Sequence, residues 1–179
     1  RGIHPREDPV TGQRGLPVDT YTTRLFTPVP YSGGGKRDKF LGNVSARFKG
    51  AGAPIHAALE GIISETGYNE KRGNFVKIVH RREKFKNDQV TGFEIFTSTY
   101  NFIGQPEKIV RVGKKVEDGD VLGYTNRNAS SIGEKPSERE FQFTFKKVGE
   151  TFSLKDKELS GKSEYLNPMS LGTLNEQSA

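Results

Sequence analysis

Residues 52–81, GAPIHAALEGIISETGYNEKRGNFVKIVHR, decide the fold because they read as two or three consecutive β-strands separated by glycine-containing turns. Apolar side chains alternate with others over residues 55–60 and again over residues 75–80, and a period of two is typical of a strand buried mainly on one face. Gly67 and the polar residues 69–73 supply the turns, because Gly and Asn tolerate the positive φ that tight β connections need. The stretch predicts a β-rich domain.

The composition sets the class of protein. The 179 residues suffice for one domain, and with 32% hydrophobic and 28% charged residues no run is apolar enough to span a membrane. The absence of cysteine excludes disulfides and thiolate zinc sites and leaves the redox compartment open. Because the sequence begins at Arg1 and its one methionine is Met169, we expect the translation start, and any signal peptide or amino-terminal anchor, to lie ahead of Arg1.

The net charge of +6 is spread along the chain and not concentrated in one block. Basic runs at residues 36–39, 80–86 and 146–147 lie beside predicted turns, which is typical of solvated loops, with a patch for an anionic partner as the alternative. No nucleic-acid-binding motif accompanies these runs, so we expect no nucleic-acid partner.

The chain divides into an arm, a domain and a tail. Residues 1–40 are rich in Pro, Gly and Thr and show no sustained period, which predicts an irregular arm that wraps the core, with a strand around residues 21–26. Residues 41–171 form the predicted domain, and residues 172–179 a flexible tail.

Strand signals recur inside the domain. A charged hairpin tip at residues 83–90 precedes residues 92–102, which are rich in Phe, Ile, Thr and Tyr. Residues 109–125 place short apolar runs between three glycines, which predicts short strands that turn at each glycine and close a small barrel or sandwich. We expect no helix longer than a few turns.

In the segment 139–147, REFQFTFKK, three phenylalanines alternate with three polar residues, so one face of the predicted strand is aromatic and the other polar. The phenylalanines are Phe141, Phe143 and Phe145, and the polar residues are Glu140, Gln142 and Thr144. Residues 149–150 read as the next turn. The aromatic face belongs in the core, which leaves the polar face for another role.

Five pieces of the chain occur in a recognisable order: G-x-P-I-x-A-A-x-x-G-x-I, G-N-x-V-x-I-x-H, V-x-x-G-x-x-V-x-x-G-x-x-L-G, an alternating aromatic strand, and N-P. They lie at residues 52–63, 73–80, 110–123, 141–145 and 167–168. In this order they resemble the lysostaphin/LytM-type zinc peptidase family, and residues 1–5 with Gly12 look like its Arg-x-His-Pro opening. The resemblance covers about residues 41–169. It implies an all-β fold, with an antiparallel sheet and a barrel-sandwich hybrid core.

The chemistry of that family implies a zinc ion held by the His and Asp of an H-x-x-x-D motif and by the second His of an H-x-H strand. Alignment on the Ala-Ala pair of the first piece, with one inserted residue, places Leu41 and Ser45 at the first two ligand positions, and counting back from the predicted turn at residues 149–150 places Gln142 at the third. Glu140 takes the first position of H-x-H, and Thr99 takes the position of a further catalytic His of the family. An alkane, an alcohol and a neutral amide do not hold zinc. The resemblance therefore implies a degenerate domain with no metal, no cofactor and no catalytic residue.

The histidines of the chain are His4, His56 and His80, and a rival metal site would require them to converge with a carboxylate such as Glu140. We expect surface or structural roles for them instead. The chain has no thiol nucleophile and no G-x-S-x-G elbow, while a Ser-His-Asp arrangement stays open. An enzyme with an unrecognised site is therefore an alternative.

The resemblance implies a non-catalytic binding or scaffolding module of the bacterial cell envelope, exported to the periplasm or the cell surface, with peptidoglycan or an envelope protein as its partner. The candidate groove consists of Thr97, Thr99, Glu140, Gln142 and Thr144, for which a solvated sheet face is the other interpretation. A lipoyl-like adaptor is a further alternative, because residues 110–124 resemble the hairpin of such modules.

Overall fold

The structure is a computed structural model that describes residues 22–27, 45–48, 52–130, 132–151 and 159–166. These residues form ten β-strands and one short 3-10 helix, Pro136–Glu138. The strands are β1 (Thr22–Thr27), β2 (Ser45–Phe48), β3 (Pro54–His56), β4 (Gly61–Asn69), β5 (Gly73–Lys86), β6 (Gln89–Pro106), β7 (Lys115–Val116), β8 (Val121–Thr125), β9 (Phe141–Thr151) and β10 (Glu164–Leu166). The predicted all-β fold class is confirmed.

All the named strands belong to one antiparallel sheet. Its order is β1-β2-β9-β6-β5-β4-β7, with β10 beside β9 and with β8 joining β6 to β3. The long strands β5 and β6 form a hairpin that turns at Asn87 and Asp88, whose φ angles are 51° and 61°. Two consecutive left-handed residues are the requirement of a tight two-residue hairpin turn. Strands β5, β6 and β9 therefore form the centre of the sheet.

The core lies on the aromatic face of β9. Phe141, Phe143 and Phe145 have no exposed surface, and the ring of Phe145 stacks on Phe96 with 5.4 Å between centroids. The same cluster contains Ile55 of β3, Val116 of β7 and Leu122 of β8. Because strands from distant parts of the sheet contribute to one cluster, the sheet curls around a single core. The predicted burial of the three phenylalanines, and of Phe75 and Ile78, is confirmed.

The turn between β4 and β5 lies where the sequence predicts it. The side-chain oxygen of Asn69 accepts the backbone N–H groups of Lys71 and Arg72 at 3.0 and 2.8 Å, and Gly73 has a φ of 60°. Asparagine side chains stabilise turns in this way because they replace a backbone acceptor. Outside this turn, Gly67 lies inside β4, so the prediction that it makes a turn is wrong.

A second glycine prediction is also wrong. Residues 149–150 lie inside β9, not at a turn. A Cβ atom on Gly149 would lie 2.9 Å from the carbonyl oxygen of Ser160 and 3.0 Å from the Cβ of Leu159. The glycine is therefore needed because another segment of the chain approaches the strand closely.

Residues 110–124 turn at Gly113 and Gly119 as predicted, with φ angles of 88° and 94°. Gly123, the third of the predicted turn glycines, lies inside β8, so that prediction is wrong. The two short strands that follow Gly113 and Gly119 do not pair with each other, because β7 pairs with β4 while β8 pairs with β3 and β6. The hairpin on which the lipoyl-like interpretation depends therefore does not form.

The strand predicted around residues 21–26 is present as β1, which pairs with β2, and β2 in turn pairs with β9. Part of the predicted arm thus extends the sheet. The boundaries at 1–40, 41–171 and 172–179 stay predictions, since the tail and most of the arm lie outside the described residues. No helix in the described part of the chain is long and apolar enough to cross a bilayer.

Candidate functional site

A polar face lies on the side of β6 and β9 that is opposite the phenylalanine core. In the register of these strands Thr144 lies opposite Thr99, and Gln142 lies opposite Asn101. Residues directly opposite each other in an antiparallel pair project from the same face, and Thr97 shares that face because it is two residues from Thr99. The pairing therefore brings together four residues of the predicted groove, and it adds Asn101, which the sequence analysis missed.

Burial along this face is uneven. Thr97 and Thr144 are only 5% and 6% exposed, whereas Thr99 and Gln142 are partly exposed. Glu140 precedes β9 and is 8% exposed. A fully solvated sheet face would expose its hydroxyl groups, so the covered threonines match a groove floor better than an open surface.

The row through Thr99 crosses five strands. From β2 to β4 it consists of Ser45, Thr144, Thr99, Lys77 and Glu65. Hydroxyl-bearing residues thus occupy one half of the row and charged residues the other half. The partly buried Lys77 gives the row a positive group next to Thr99.

A fixed arginine borders this row. The Nε of Arg72 donates to the side-chain oxygen of Asn101 at 3.2 Å, and its Nη1 lies 3.2 Å from a carboxylate oxygen of Glu65. The guanidinium also lies over the ring of Phe75, at 3.7 Å from its centroid. Three contacts restrict this side chain, so its charge has a defined position beside the groove. No sequence pattern distinguishes Arg72, because it is one of several polar residues in a turn.

The positions predicted to replace the zinc ligands are close in register. Ser45 lies opposite Thr144, and Gln142 is two residues from Thr144, so Ser45 and Gln142 are diagonal neighbours on adjacent strands. Thr99 lies opposite Thr144 on the other side. Leu41 lies outside the described residues. That these positions correspond to the ligands of the family stays a prediction.

The donor set of this site does not fit zinc. It offers hydroxyls and an amide, and Glu140 supplies the carboxylate, whereas zinc sites in proteins use Cys, His and carboxylate ligands in sets of three or four. Among the residues that the structure describes, no group of three or more His, Asp or Glu side chains is placed to hold a metal ion. No chemical step is therefore derived through zinc.

The described histidines have structural partners. The Nδ1 of His56 lies 2.9 Å from the carbonyl oxygen of Gly119. His80 is 3% exposed, and its two ring nitrogens lie 2.7 Å from the carbonyl oxygen of Glu60 and 2.6 Å from the hydroxyl of Ser98. Burial lowers the pKa of His80 from 6.5 to about 4, although the hydrogen bond to Glu60 opposes the shift. A neutral, enclosed imidazole of this kind stabilises the core, and His4 lies outside the described residues.

Several solved structures are similar to this chain. No protein-family model matches the chain, and no protein with a curated description matches it. A zinc-containing peptidase from Vibrio cholerae is 16% identical over 74% of this chain and 36% of that chain, with a TM-score of 0.49. The catalytic domain of the antimicrobial peptidase lysostaphin from Staphylococcus simulans is 19% identical over 87% of this chain and 93% of that chain, with a TM-score of 0.48.

The lysostaphin domain belongs to the class that the motif order of this chain resembles, the lysostaphin/LytM-type peptidases. This chain resembles that class, but it has Ser45 and Gln142 at two of the predicted ligand positions. It spans little more than a third of the Vibrio cholerae chain, 36% of its length. Only the residues of this chain therefore bear on its function.

Proposed function

We propose that this domain is a non-catalytic binding module of the bacterial cell envelope and that it engages its partner through the polar face of β6 and β9. The observation that carries the proposal is the meeting of Thr97, Thr99, Gln142 and Thr144 on two adjacent strands. Hydroxyl and amide groups both donate and accept hydrogen bonds, so such a row suits a chain of peptide or sugar units. Peptidoglycan and an envelope protein both offer such chains.

The proposal excludes hydrolysis because the four residues that meet on β6 and β9 lack the necessary chemistry. Threonine hydroxyls and a glutamine amide are uncharged at neutral pH, and neither activates water without a base or a metal ion. The polar face therefore offers mainly hydrogen-bonding groups, with Glu140 as the one carboxylate among the candidate groove residues. Elsewhere in the described part of the chain, no group of three or more His, Asp or Glu side chains is placed to hold a catalytic metal ion.

Charges of both signs lie beside the row. Lys77 lies opposite Thr99, and Arg72 is fixed against Asn101 at one end of the same face. Glu65 lies opposite Lys77 in the register, and its carboxylate lies 3.2 Å from Arg72, so both cations have an acidic neighbour. The row therefore suits a ligand through its hydrogen-bonding groups and not through a net charge. Export to the periplasm or the cell surface is part of this proposal.

The test replaces Thr99 and Gln142 together by arginine, which fills the groove with two long side chains. We expect the double variant T99R/Q142R to lose sedimentation with purified peptidoglycan while its melting temperature stays near that of the wild type. The matched control is Q89R/T91R, which makes the same two kinds of substitution at exposed positions near the tip of the β5–β6 hairpin. Retention of wild-type binding by T99R/Q142R would exclude the groove as the binding site.

If the partner is a protein, the same variants are compared in a binding assay without peptidoglycan. The immobilised wild-type domain would then retain the partner from an envelope extract freed of peptidoglycan, and T99R/Q142R would lose it. The Q89R/T91R control would retain it.

A further inference from the structure

A second polar cavity lies at the end of β6, and none of the candidate groove residues lines it. Its volume is about 380 Å³, and its lining includes Gly52, Gly104, Gln105, Tyr124 and Arg127. A volume of this size lies within the range of ligand-binding pockets, about 300–1,000 Å³. The cavity is therefore large enough for a small ligand or for the end of a peptide.

Two further lining residues hold the wall in place. The hydroxyl oxygen of Thr125 accepts the backbone N–H of Ala53 at 2.9 Å. The side-chain nitrogen of Asn126 lies 3.1–3.3 Å from the backbone carbonyl oxygens of Phe102, Pro136 and Arg139. Because an amide has two protons, these carbonyls use the whole donor capacity of Asn126. Thr125 and Asn126 thus shape the cavity and do not supply its main ligand contacts.

Two glycines keep the cavity open. A Cβ atom on Gly52, whose φ is 77°, would lie 3.4 Å from the Cζ of Arg127, so the guanidinium packs directly over the glycine backbone. A Cβ atom on Gly104 would lie 2.8 Å from the side-chain oxygen of Asn126, which is closer than real contacts allow. Any side chain at either position would enter the cavity or displace its wall.

The groups that face the cavity offer mainly hydrogen-bond donors. Arg127 is exposed, and neither it nor Gln105 has a side-chain hydrogen bond or ion pair within the described part of the chain. The hydrogen bond to Glu107 raises the pKa of the Tyr124 phenol, so that hydroxyl stays protonated and its proton is committed to Glu107. The lining residues include one cation and no carboxylate, and the adjacent carboxylate of Glu107 accepts the Tyr124 hydroxyl. A planar anion is the chemical class that such a site selects, because the guanidinium fork matches two carboxylate oxygens.

We propose that this cavity binds the carboxylate of a peptide's C-terminal residue, with Arg127 taking the carboxylate oxygens and Gln105 the neighbouring peptide group. Gln105 suits the second role because its amide both donates and accepts. The inference does not rest on the proposed function of the groove, since the two sites share no residue. Two sources offer this chemistry: the D-alanine ends of peptidoglycan stem peptides and the C-termini of proteins.

The test is a titration of the ¹⁵N-labelled domain, followed by NMR, with Nα-acetyl-D-Ala-D-Ala and with Nα-acetyl-L-Ala-L-Ala. Each is compared with its C-terminal amide. We expect saturable shifts of the backbone N–H signals of Gly52, Gly104 and Arg127 with at least one of the acids, and at least tenfold weaker binding of its amide. R127Q should cause a similar loss. R111Q is the matched control, because it removes the same charge from an exposed arginine that does not line the cavity.

The stereochemistry of the better acid identifies the source of the ligand. Preference for the D-form assigns the cavity to peptidoglycan stems, and preference for the L-form assigns it to protein C-termini. Equal binding of acid and amide, no saturable shift at the cavity with either acid, or an unchanged affinity in R127Q would overturn the inference. The groove can fail independently, because T99R/Q142R should leave the dipeptide titration unchanged whether or not the domain binds peptidoglycan.

Discussion

The Nε2 of His80 lies 2.6 Å from the hydroxyl oxygen of Ser98, and this contact fixes the direction of a buried chain of hydrogen bonds. The other ring nitrogen faces the carbonyl oxygen of Glu60, which only accepts, so Nδ1 carries the proton and Nε2 accepts from Ser98. With the Ser98 proton committed, the Tyr100 hydroxyl, 2.9 Å away, donates to Ser98. The same Tyr100 oxygen accepts the backbone N–H of Ala58 at 2.9 Å. This series of hydrogen bonds joins β5 and β6 to the segment after β3.

The first prediction is that stability falls in acid because of His80. Its pKa is about 4 in the folded state and 6.5 when unperturbed, so between these values the unfolded chain binds a proton that the folded chain does not. Above pH 6.5 the protonation of His80 does not lower the free energy of unfolding. As the pH falls from 6.5 through 4, this free energy decreases by roughly 3 kcal/mol because of His80. Urea unfolding at pH 7, 5.5 and 4 measures the effect.

The control for this prediction is His80→Gln, which we expect to be less stable at pH 7 and which has no imidazole to titrate. Its free energy of unfolding should depend less on pH over the same interval, although carboxylates contribute to both proteins. An imidazole NMR titration that places the pKa of His80 near 6.5 in the folded protein would contradict the account.

The second prediction concerns Tyr100, which has no exposed surface. Tyr100→Phe removes the acceptor of the Ala58 N–H and the donor to Ser98, so it should lower the free energy of unfolding by about 1–3 kcal/mol. Tyr68→Phe is the matched control, because Tyr68 is 59% exposed. Equal stability of the two variants would show that the buried chain contributes nothing.

The third prediction tests the aromatic face of β9. Phe143→Ala leaves a cavity where a fully buried ring packs against Tyr100, and it should cost about 3–5 kcal/mol in the free energy of unfolding. Phe85→Ala, at a 63% exposed position on the β5–β6 hairpin, should change it by no more than about 0.5 kcal/mol. A melting temperature that Phe143→Ala leaves unchanged would mean that the face is assigned incorrectly.

The fourth prediction is that the purified domain binds no stoichiometric zinc and releases no soluble product from peptidoglycan. The reason is the donor set, in which Ser45 and Gln142 occupy predicted ligand positions. Elemental analysis after dialysis, together with a turbidity assay on peptidoglycan, measures both properties. One tightly bound zinc per chain, lost together with activity on replacement of His56 or His80, would restore the enzyme hypothesis.

The sequence predicts those features of the fold that depend on local alternation. The phenylalanines of β9 are predicted correctly, because β9 lies in the centre of the sheet and places every second residue in the core. Gly149 is predicted incorrectly, because a glycine in a turn and a glycine under a crossing segment look alike in sequence. The contact of Gly149 with Leu159 and Ser160 is a tertiary feature that no local pattern reveals.

The candidate site is predictable in composition but not in burial. Alternation places Thr144 on a polar face, yet the covering of Thr97 and Thr144 depends on parts of the chain that are distant in sequence. Arg72 is missed for the same reason, since its partner Asn101 lies on the other long strand. The sequence predicts a surface or structural role for His80, and its depth in the core follows from the pairing of β5 with β6.

The most direct test of the proposed groove is a threonine-methyl NMR spectrum recorded with and without soluble peptidoglycan fragments. We predict that the methyl signals of Thr97, Thr99 and Thr144 shift or broaden on addition of the fragments, while that of Thr91, exposed on the distant hairpin, does not. Unchanged signals from all three groove threonines, with binding detected elsewhere on the domain, would contradict the account.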